Sequence, residues 1–334
     1  MGNSQIKRTF LLLETQNRGT SVFAPLCKSK NCILYLEVMQ LNVGFIGAGK
    51  VGGALGLYLT QHGVTISGYY SKTGTSAQEA ARITGSQSLP SMQEVANLSS
   101  VLFVAVPDHA IEEVDASIAM GMEAQRIHRD LSVFHVSGAH SSDALKGIRA
   151  AGAPVGSMHP LQSFGEPMNS AEKLNSTWFT LEGTEKAVEL AKTILHKTGG
   201  KYSLIQAQDK PLYHAGACVV SNFLITLLES GIRCFEKAGM ERNDILKAID
   251  PLIASTLSNA REQGTVDALT GPIVRGDIQT VRIHLEAIRA LLPTELDLYQ
   301  SMARRTVQML EDRCWTKQQA ERFQLLLGET IHVN

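Results

Sequence analysis

The apolar positions of this chain change their rhythm once. Up to about Ile205, short apolar runs of strand length alternate with segments of helical period; beyond it only helical periods remain. Strands are predicted over residues 41–46, 64–70, 101–106, 131–136, 154–158, 178–181 and 202–205. Between them stand helix-start signals. Thr75 with Gln78 and Ser91 with Glu94 have capping-box spacing, and Asp108 and Ser141 occupy N-cap positions. The later helices are predicted over 207–237, 242–263, 276–291, 294–312 and 316–327, punctuated by Gly239, Gly264, Gly271, Pro293 and Gly328.

The first strand runs directly into Gly47-Ala48-Gly49-Lys50-Val51-Gly52, with glycines in G-x-G-x-x-G spacing, and a helical period follows. Each glycine has a task. Gly47 makes the turn off the strand, Gly49 admits a pyrophosphate close to the backbone, and Gly52 lets helix and sheet approach, while the helix start offers free amides to phosphate. The expected fold is therefore α/β: a doubly wound, mostly parallel Rossmann sheet, followed by an all-α C-terminal domain. The domains are expected at 39–205 for nucleotide binding and 206–330 for substrate and dimer contacts. Residues 1–38 read as an extension outside the fold, disordered or upstream of a true start at Met39.

An acidic residue about 20 positions past the glycines would bind the ribose hydroxyls of NAD. The second strand instead leads to Ser71-Lys72-Thr73, with no Asp or Glu. A lysine between two hydroxyls suits a 2′-phosphate, so NADP is expected rather than NAD. The strand ending Val104-Ala105-Val106-Pro107-Asp108 brings Val106 and Pro107 near the nicotinamide ribose as packing groups.

Composition narrows the classes. With 31 basic and 32 acidic residues in 334, no charge excess points to nucleic acid or to a membrane surface. Five cysteines without C-x-x-C spacing suggest neither a disulfide framework nor a metal site, and point to the cytoplasm. The apolar run over 212–228 is interrupted by His214, Ser221 and Asn222. It falls short of the ~20 residues a membrane span needs, so it reads as a buried helix.

Three later stretches carry candidate chemistry. His159, in Ser157-Met158-His159-Pro160, ends a strand on the cleft side. Pro211 requires a helix start near Asp209, which puts Lys210, His214 and Ser221 on one face with Asn222 at its border. Polar groups in so apolar a helix need partners or a ligand. The loop Leu269-Thr270-Gly271-Pro272-Ile273-Val274-Arg275-Gly276-Asp277 offers Thr270 and Arg275, an arginine that either clamps a carboxylate or pairs with Asp277.

These stretches, with Ser137-Gly138 and Tyr213-His214-Ala215-Gly216-Ala217, resemble bacterial Rossmann-like proteins whose C-terminal half is the domain of unknown function 2520. That family is similar to the 6-phosphogluconate, pyrroline-carboxylate reductase and β-hydroxyacid dehydrogenase superfamily, and some members are assigned as ketopantoate reductases. The resemblance implies a homodimer made through the helical domain. It also implies an oxidoreductase passing a hydride between NADPH and a small carbonyl compound such as a 2-oxo acid, or alternatively a cyclic imine. In that mechanism Lys210 or His214 is the general acid and Asn222 holds the oxygen, while Ser137, His159, Thr270 and Arg275 contact substrate. Hydroxyacid members carry Lys and then Asn four residues on; here His214 stands at that step. A non-catalytic NADP sensor is the reading from another class.

Overall fold

The computed structural model describes residues 41–328, so the expectations for 1–38 lie outside the described residues. The chain divides into two compact units that meet at Ala215 and Gly216. That division falls inside a helix that follows the last strand, rather than at 205.

All seven predicted strands form: β1 (Asn42–Ile46), β2 (Thr65–Tyr70), β3 (Val101–Val104), β4 (Ser132–His135), β5 (Val155–Pro160), β6 (Trp178–Gly183) and β7 (Lys201–Leu204). They make one sheet in the order β2-β1-β3-β4-β5-β6-β7. All neighbours are parallel except β5 and β6. The order turns about β1 and β3, and at such a switch point the loops leaving the strands diverge and open a crevice.

Side chains alternate across each strand, so the sheet feeds two cores. One face carries Tyr69, Phe45, Phe103 and Phe134, which lie opposite one another in register on β2, β1, β3 and β4. Their rings stack in a row with centroids 5.1, 5.4 and 5.5 Å apart. The helices α1 (Lys50–Gln61), α2 (Thr75–Thr84), α6 (Pro167–Leu174) and α7 (Glu185–Thr198) supply Leu55, Ala80, Leu174 and Ile194 to that core. The opposite core joins Ile46, Val104 and Val133 to α3 (Met92–Asn97), α4 (Ile111–Glu123) and α5 (Lys146–Ala150).

Two of the helix-start expectations need correction. Ser91 does accept from the Glu94 amide at 3.2 Å, and Ser141 from the Asp143 amide at 3.3 Å. Thr75, however, is the first residue of α2, whose N-cap is Gly74 without a side-chain bond. Gly74 sits at φ +79°, a conformation that displaces the cap by one residue. Asp108 lies inside a 3-10 turn, Asp108–Ala110, capped by the backbone of Pro107 and not by a side chain.

From Ala207 onward the described residues are all-α, the second unit beginning within the first of these helices. After a 3-10 turn at Ala207–Asp209 come α8 (Lys210–Val220), α9 (Asn222–Lys237), α10 (Arg242–Gln263), α11 (Ile278–Leu291), α12 (Leu296–Glu311) and α13 (Lys317–Leu326). The predicted 207–237 helix is thus interrupted, at Ser221. Asp277 and Thr316 cap α11 and α13 through their side chains, so the starts at 276 and 316 move inward by the length of the cap. Val281, Leu285, Val307 and Phe323 close a small core among α11, α12 and α13.

The expectation that the apolar run over 212–228 is buried and too short to span is corrected. Among the described residues, the helical stretch Ala207–Lys237, 31 residues with its turn at Ser221, holds an 18-residue window of mean hydropathy 1.5, long and apolar enough by those measures to cross a membrane. Counting only uninterrupted apolar positions had missed the helix on either side of them. Leu212 is 78% exposed and Ile225 66%.

Gly56 of α1 packs against the aromatic row. A Cβ there would fall 1.8 Å from the Tyr69 hydroxyl oxygen. We expect Gly56→Ala to destabilise the chain by about 1–3 kcal/mol, the usual cost of overpacking. Urea unfolding checks this, and adding Tyr69→Phe should restore part of the loss. An unchanged midpoint would contradict the close approach.

Candidate functional site

The glycine turn behaves as its spacing requires. Gly47 has φ +94°, and a Cβ on it would lie 2.4 Å from the Ala105 carbonyl oxygen. A Cβ on Gly52 would lie 2.3 Å from the Gly47 carbonyl oxygen, so strand turn and helix meet backbone to backbone. Gly49 differs, because nothing stands within 4 Å of where its Cβ would be. Nothing inside the protein requires that glycine. It faces open space, which is what a pyrophosphate seated against the backbone would need.

Gly47, Ala48 and Gly49 line a cleft of about 570 Å³ together with Ser71, Lys72, Thr73, Val106 and Pro107. Lys50, Val51 and Gly52 do not line it. They form the first turn of α1, where Gly49 makes no side-chain cap and the leading amides have no intrahelical acceptor. Ser71 also accepts from the Ala77 amide at 3.1 Å, which ties the Ser71-Lys72-Thr73 segment to the start of α2. The sequence reading missed Tyr70, Ser76, Met92, His109, Ala110 and Glu113 in this cleft. Only the strand-end position of Tyr70 carried a signal, since the others come from α2, α3, the Asp108–Ala110 turn and α4, which the fold gathers at the cleft. These residues fit a dinucleotide: an open Gly49, free amides and one lysine among hydroxyls.

A second polar group forms farther along the same sheet edge, at the ends of β4 and β5 and the start of α8. The Lys210 ammonium is 0% exposed. It donates to the Ser137 carbonyl at 2.7 Å and to the Ser157 hydroxyl. Neither partner is charged. Burial pulls Lys210 down to about 8, against the pull of Glu182 and Asp108. Glu182 is itself engaged by the Ser142 amide at 2.7 Å and the Ser142 hydroxyl at 2.6 Å. Asp108 faces the His140 ring at 3.8 Å. The ammonium is therefore held by dipoles and has no carboxylate bonded to it.

Three histidines surround it. His135 bonds the Ser141 carbonyl through Nε2 at 2.9 Å and accepts from the Ser137 amide at Nδ1, which fixes its tautomer and shapes the loop after β4. Burial and the Lys210 charge push its pKa down to about 3. His159 pairs through Nδ1 with the Tyr213 hydroxyl at 2.8 Å, and burial followed by Lys210 pushes it down to about 4. His214 stands edge-on to His159 with ring centroids 6.0 Å apart. Its Nδ1 is buried without a hydrogen-bond partner among the described residues.

Both rings close on Gly138. A Cβ there would meet His214 Nδ1 at 2.4 Å and His159 Nε2 at 2.8 Å. The structure thus brings Ser137, His159, Lys210 and His214 into one cluster, and adds His135, Ser157 and Tyr213, which the sequence reading had not assigned. Tyr213 was legible as one more polar residue in an apolar helix; the His135 role depends on a loop closure that no spacing encodes. Asn222, Thr270 and Arg275 belong to the helical unit. Asn222 opens α9, and the Asp277 carboxylate caps α11 by bonding Thr280, which with a smaller pull from the Arg275 charge lowers its pKa. Among the described residues, no group of three or more His, Cys, Asp or Glu is disposed to hold a metal.

Two family models match the chain, and the second begins inside the sheet, at β6, rather than at the boundary between the two units. Residues 28–160 match the Rossmann-like domain, and residues 177–306 match the domain of unknown function DUF2520. The chain carries a Rossmann-like domain followed by a DUF2520 domain. No curated protein sequence matches it. Among solved structures it is similar to a candidate NADP oxidoreductase of Bacteroides fragilis, with 20% identity, a TM-score of 0.65 and coverage of 80% of this chain and 98% of that one. A protein of Thermotoga maritima has 25% identity and a TM-score of 0.63 over 81% and 98% of the two chains. An imine reductase of a Pseudomonas species has 17% identity and a TM-score of 0.58 over 81% and 96%. The shared fold spans both domains of this Rossmann-like–DUF2520 chain.

The depressed histidines give the protein a pH-dependent stability. Unfolded, His135 and His159 take up protons below their ordinary pKa of 6.5; folded, they stay neutral down to about 3 and 4. The unfolded state then binds more protons, so stability is lost as pH falls from 6.5 toward 4. Each histidine contributes a slope of about 1.4 kcal/mol per pH unit. Chemical unfolding across that window should be steep, and His159→Asn should flatten it by one proton. An identical slope in the variant would show that His159 is protonated in the folded protein.

Proposed function

We propose that this Rossmann-like–DUF2520 chain is an NADP-dependent oxidoreductase acting on a small carbonyl compound, a 2-oxo acid such as ketopantoate being the leading candidate. The observation that carries the reading is the polar cluster around Gly138, at the strand ends of the sheet whose glycine turn lines the 570 Å³ cleft. Gly47, Ala48 and Gly49 hold the pyrophosphate with the first amides of α1, and Lys72 with Ser71 and Thr73 holds the 2′-phosphate. When bound, NADPH supplies the hydride.

The chain's own residues do the rest. Lys210 has no accessible surface, so it acts as a positioning charge and not as a proton donor in contact with substrate. Burial, and the Lys210 field after that, keep His159 neutral, with Tyr213 bonded at Nδ1 and Nε2 turned toward Gly138. With the Tyr213 hydroxyl as donor to Nδ1, a neutral His159 carries its proton on Nε2 and donates it to a substrate oxygen. His214, whose Nδ1 lacks a partner, completes its bonding with the reacting oxygen and hands it a proton. Asn222, Thr270 and Arg275 are proposed as further substrate-contacting residues.

The electrostatics favour a carbonyl over an iminium. A buried ammonium without a bonded carboxylate stabilises charge growing on oxygen and repels a cationic substrate. Reduction of a cyclic imine is the second reading, supported by the likeness to the Pseudomonas imine reductase. A panel of 2-oxo acids and cyclic imines, followed by NADPH absorbance, tests both. We expect turnover of an oxo acid, tighter binding of NADPH than NADH, and a kcat loss of about 10²–10⁴ in His214→Ala with NADPH affinity unchanged. Imine turnover surviving His214→Ala would favour the second reading; nucleotide binding without turnover of either class would overturn both.

A second copy of the chain is proposed to cover the apolar surface of the helical unit. A helix apolar on most sides needs a cover, and Leu212, Val220, Phe223 and Ile225 have little in the single chain. Sedimentation should give a dimer without detergent. A monomer, or a chain that floats with lipid vesicles, would overturn this.

A further inference from the structure

The helical unit holds a groove that the proposed reaction does not use. It lies between α11 and α13, has a volume of about 620 Å³, and is lined by Arg282, Arg289 and Arg322 with Leu285 and Leu325. Some arginines of the unit are engaged, Arg233 with Glu295, Arg242 with Glu229 and Arg313 with Asp267, whereas Arg282, Arg289 and Arg322 converge on one groove. None of the three groove arginines has a hydrogen bond or ion pair among the described residues. Glu286 lies between two of them on α11 and pairs with neither, so it subtracts one charge and leaves the groove cationic. The chain as a whole is near neutral, with 31 basic and 32 acidic residues, so this clustering does not follow from composition.

The spacing narrows the ligand. Arg282 and Arg289 are seven residues apart, a rise of about 10.5 Å along one face of α11, and Arg322 approaches from α13. Charges spread over that length match a row of phosphoryl groups better than one carboxylate, and guanidinium forks suit phosphate oxygens. The volume is within the roughly 300–1,000 Å³ typical of small-molecule sites. Leu285 and Leu325 give an apolar wall beside the charges, suited to a flat base.

We propose that the α11–α13 groove binds a linear oligophosphate, as the phosphate chain of a nucleotide or as a free polyphosphate. The site is distinct from the dinucleotide cleft, which belongs to the other unit, and binding there does not depend on the reductase reading.

Calorimetric titration of the full chain with tripolyphosphate and with ATP tests this, at about 0.15 M salt, where diffuse surface attraction is largely screened. Each titration is run with and without saturating NADPH, so that binding in the dinucleotide cleft is recognised by its loss. We expect saturable binding that survives NADPH and weakens at least about tenfold in the double variant Arg282→Gln/Arg322→Gln. Arg305→Gln, an exposed arginine outside the groove, should leave it unchanged, and thermal melting of each variant verifies the fold. ATP binding more tightly than tripolyphosphate assigns the site to nucleotides; equal affinities assign it to the phosphate chain alone. No binding at this salt, binding abolished by NADPH, equal binding in the double variant, or equal loss with Arg305→Gln would each overturn the proposal.

Discussion

The stacked row of Tyr69, Phe45, Phe103 and Phe134 is the contact on which the positions of the strand ends depend. The four rings come from four adjacent parallel strands and stack within 5.1–5.5 Å of their neighbours. A slip of one residue in any strand would turn its ring to the opposite face and break the row. Register fixed in the middle of the sheet fixes where each strand stops. Gly47, Ala105 and Val136-Ser137 follow from it, and so does the cleft they border.

At that edge the protein gives up stability for a charged interior. Lys210 is buried against a carbonyl and a hydroxyl, which costs more than the same ammonium in water and explains its lowered pKa. The neighbouring histidines respond by staying neutral. Burial, reinforced by the Lys210 charge, holds His135 and His159 neutral, and the His135 ring in turn holds the Ser137–Ser141 loop while His159 bonds Tyr213. The cluster is a coupled unit in which no member keeps its state alone.

Much of this could be read from the chain. Strand runs, glycine spacing and the change of period at Ile205 are local properties, and each survives in the structure. So do Lys210 and His214 one turn apart on the same helix, because helical spacing is itself local. What could not be read depends on closure through space. His135 looked like a strand residue, yet it holds a loop six residues on; Tyr213 looked like helix filler, yet it bonds His159, 54 positions earlier. Helix caps failed where backbone conformation overrode side-chain preference, as at Gly74. The exposed apolar helix failed for a different reason, since hydrophobicity states the need for a cover and not what provides it.

Gly138 has a consequence of another kind. Two imidazole nitrogens already occupy the space that any side chain at this position would claim. A residue larger than glycine would act as a tethered blocking group, obstructing the histidine pocket from within the chain while the glycine-lined cleft stays open. Occupation of the glycine-lined cleft and of the space beside His214 are thus separable by a single side-chain atom.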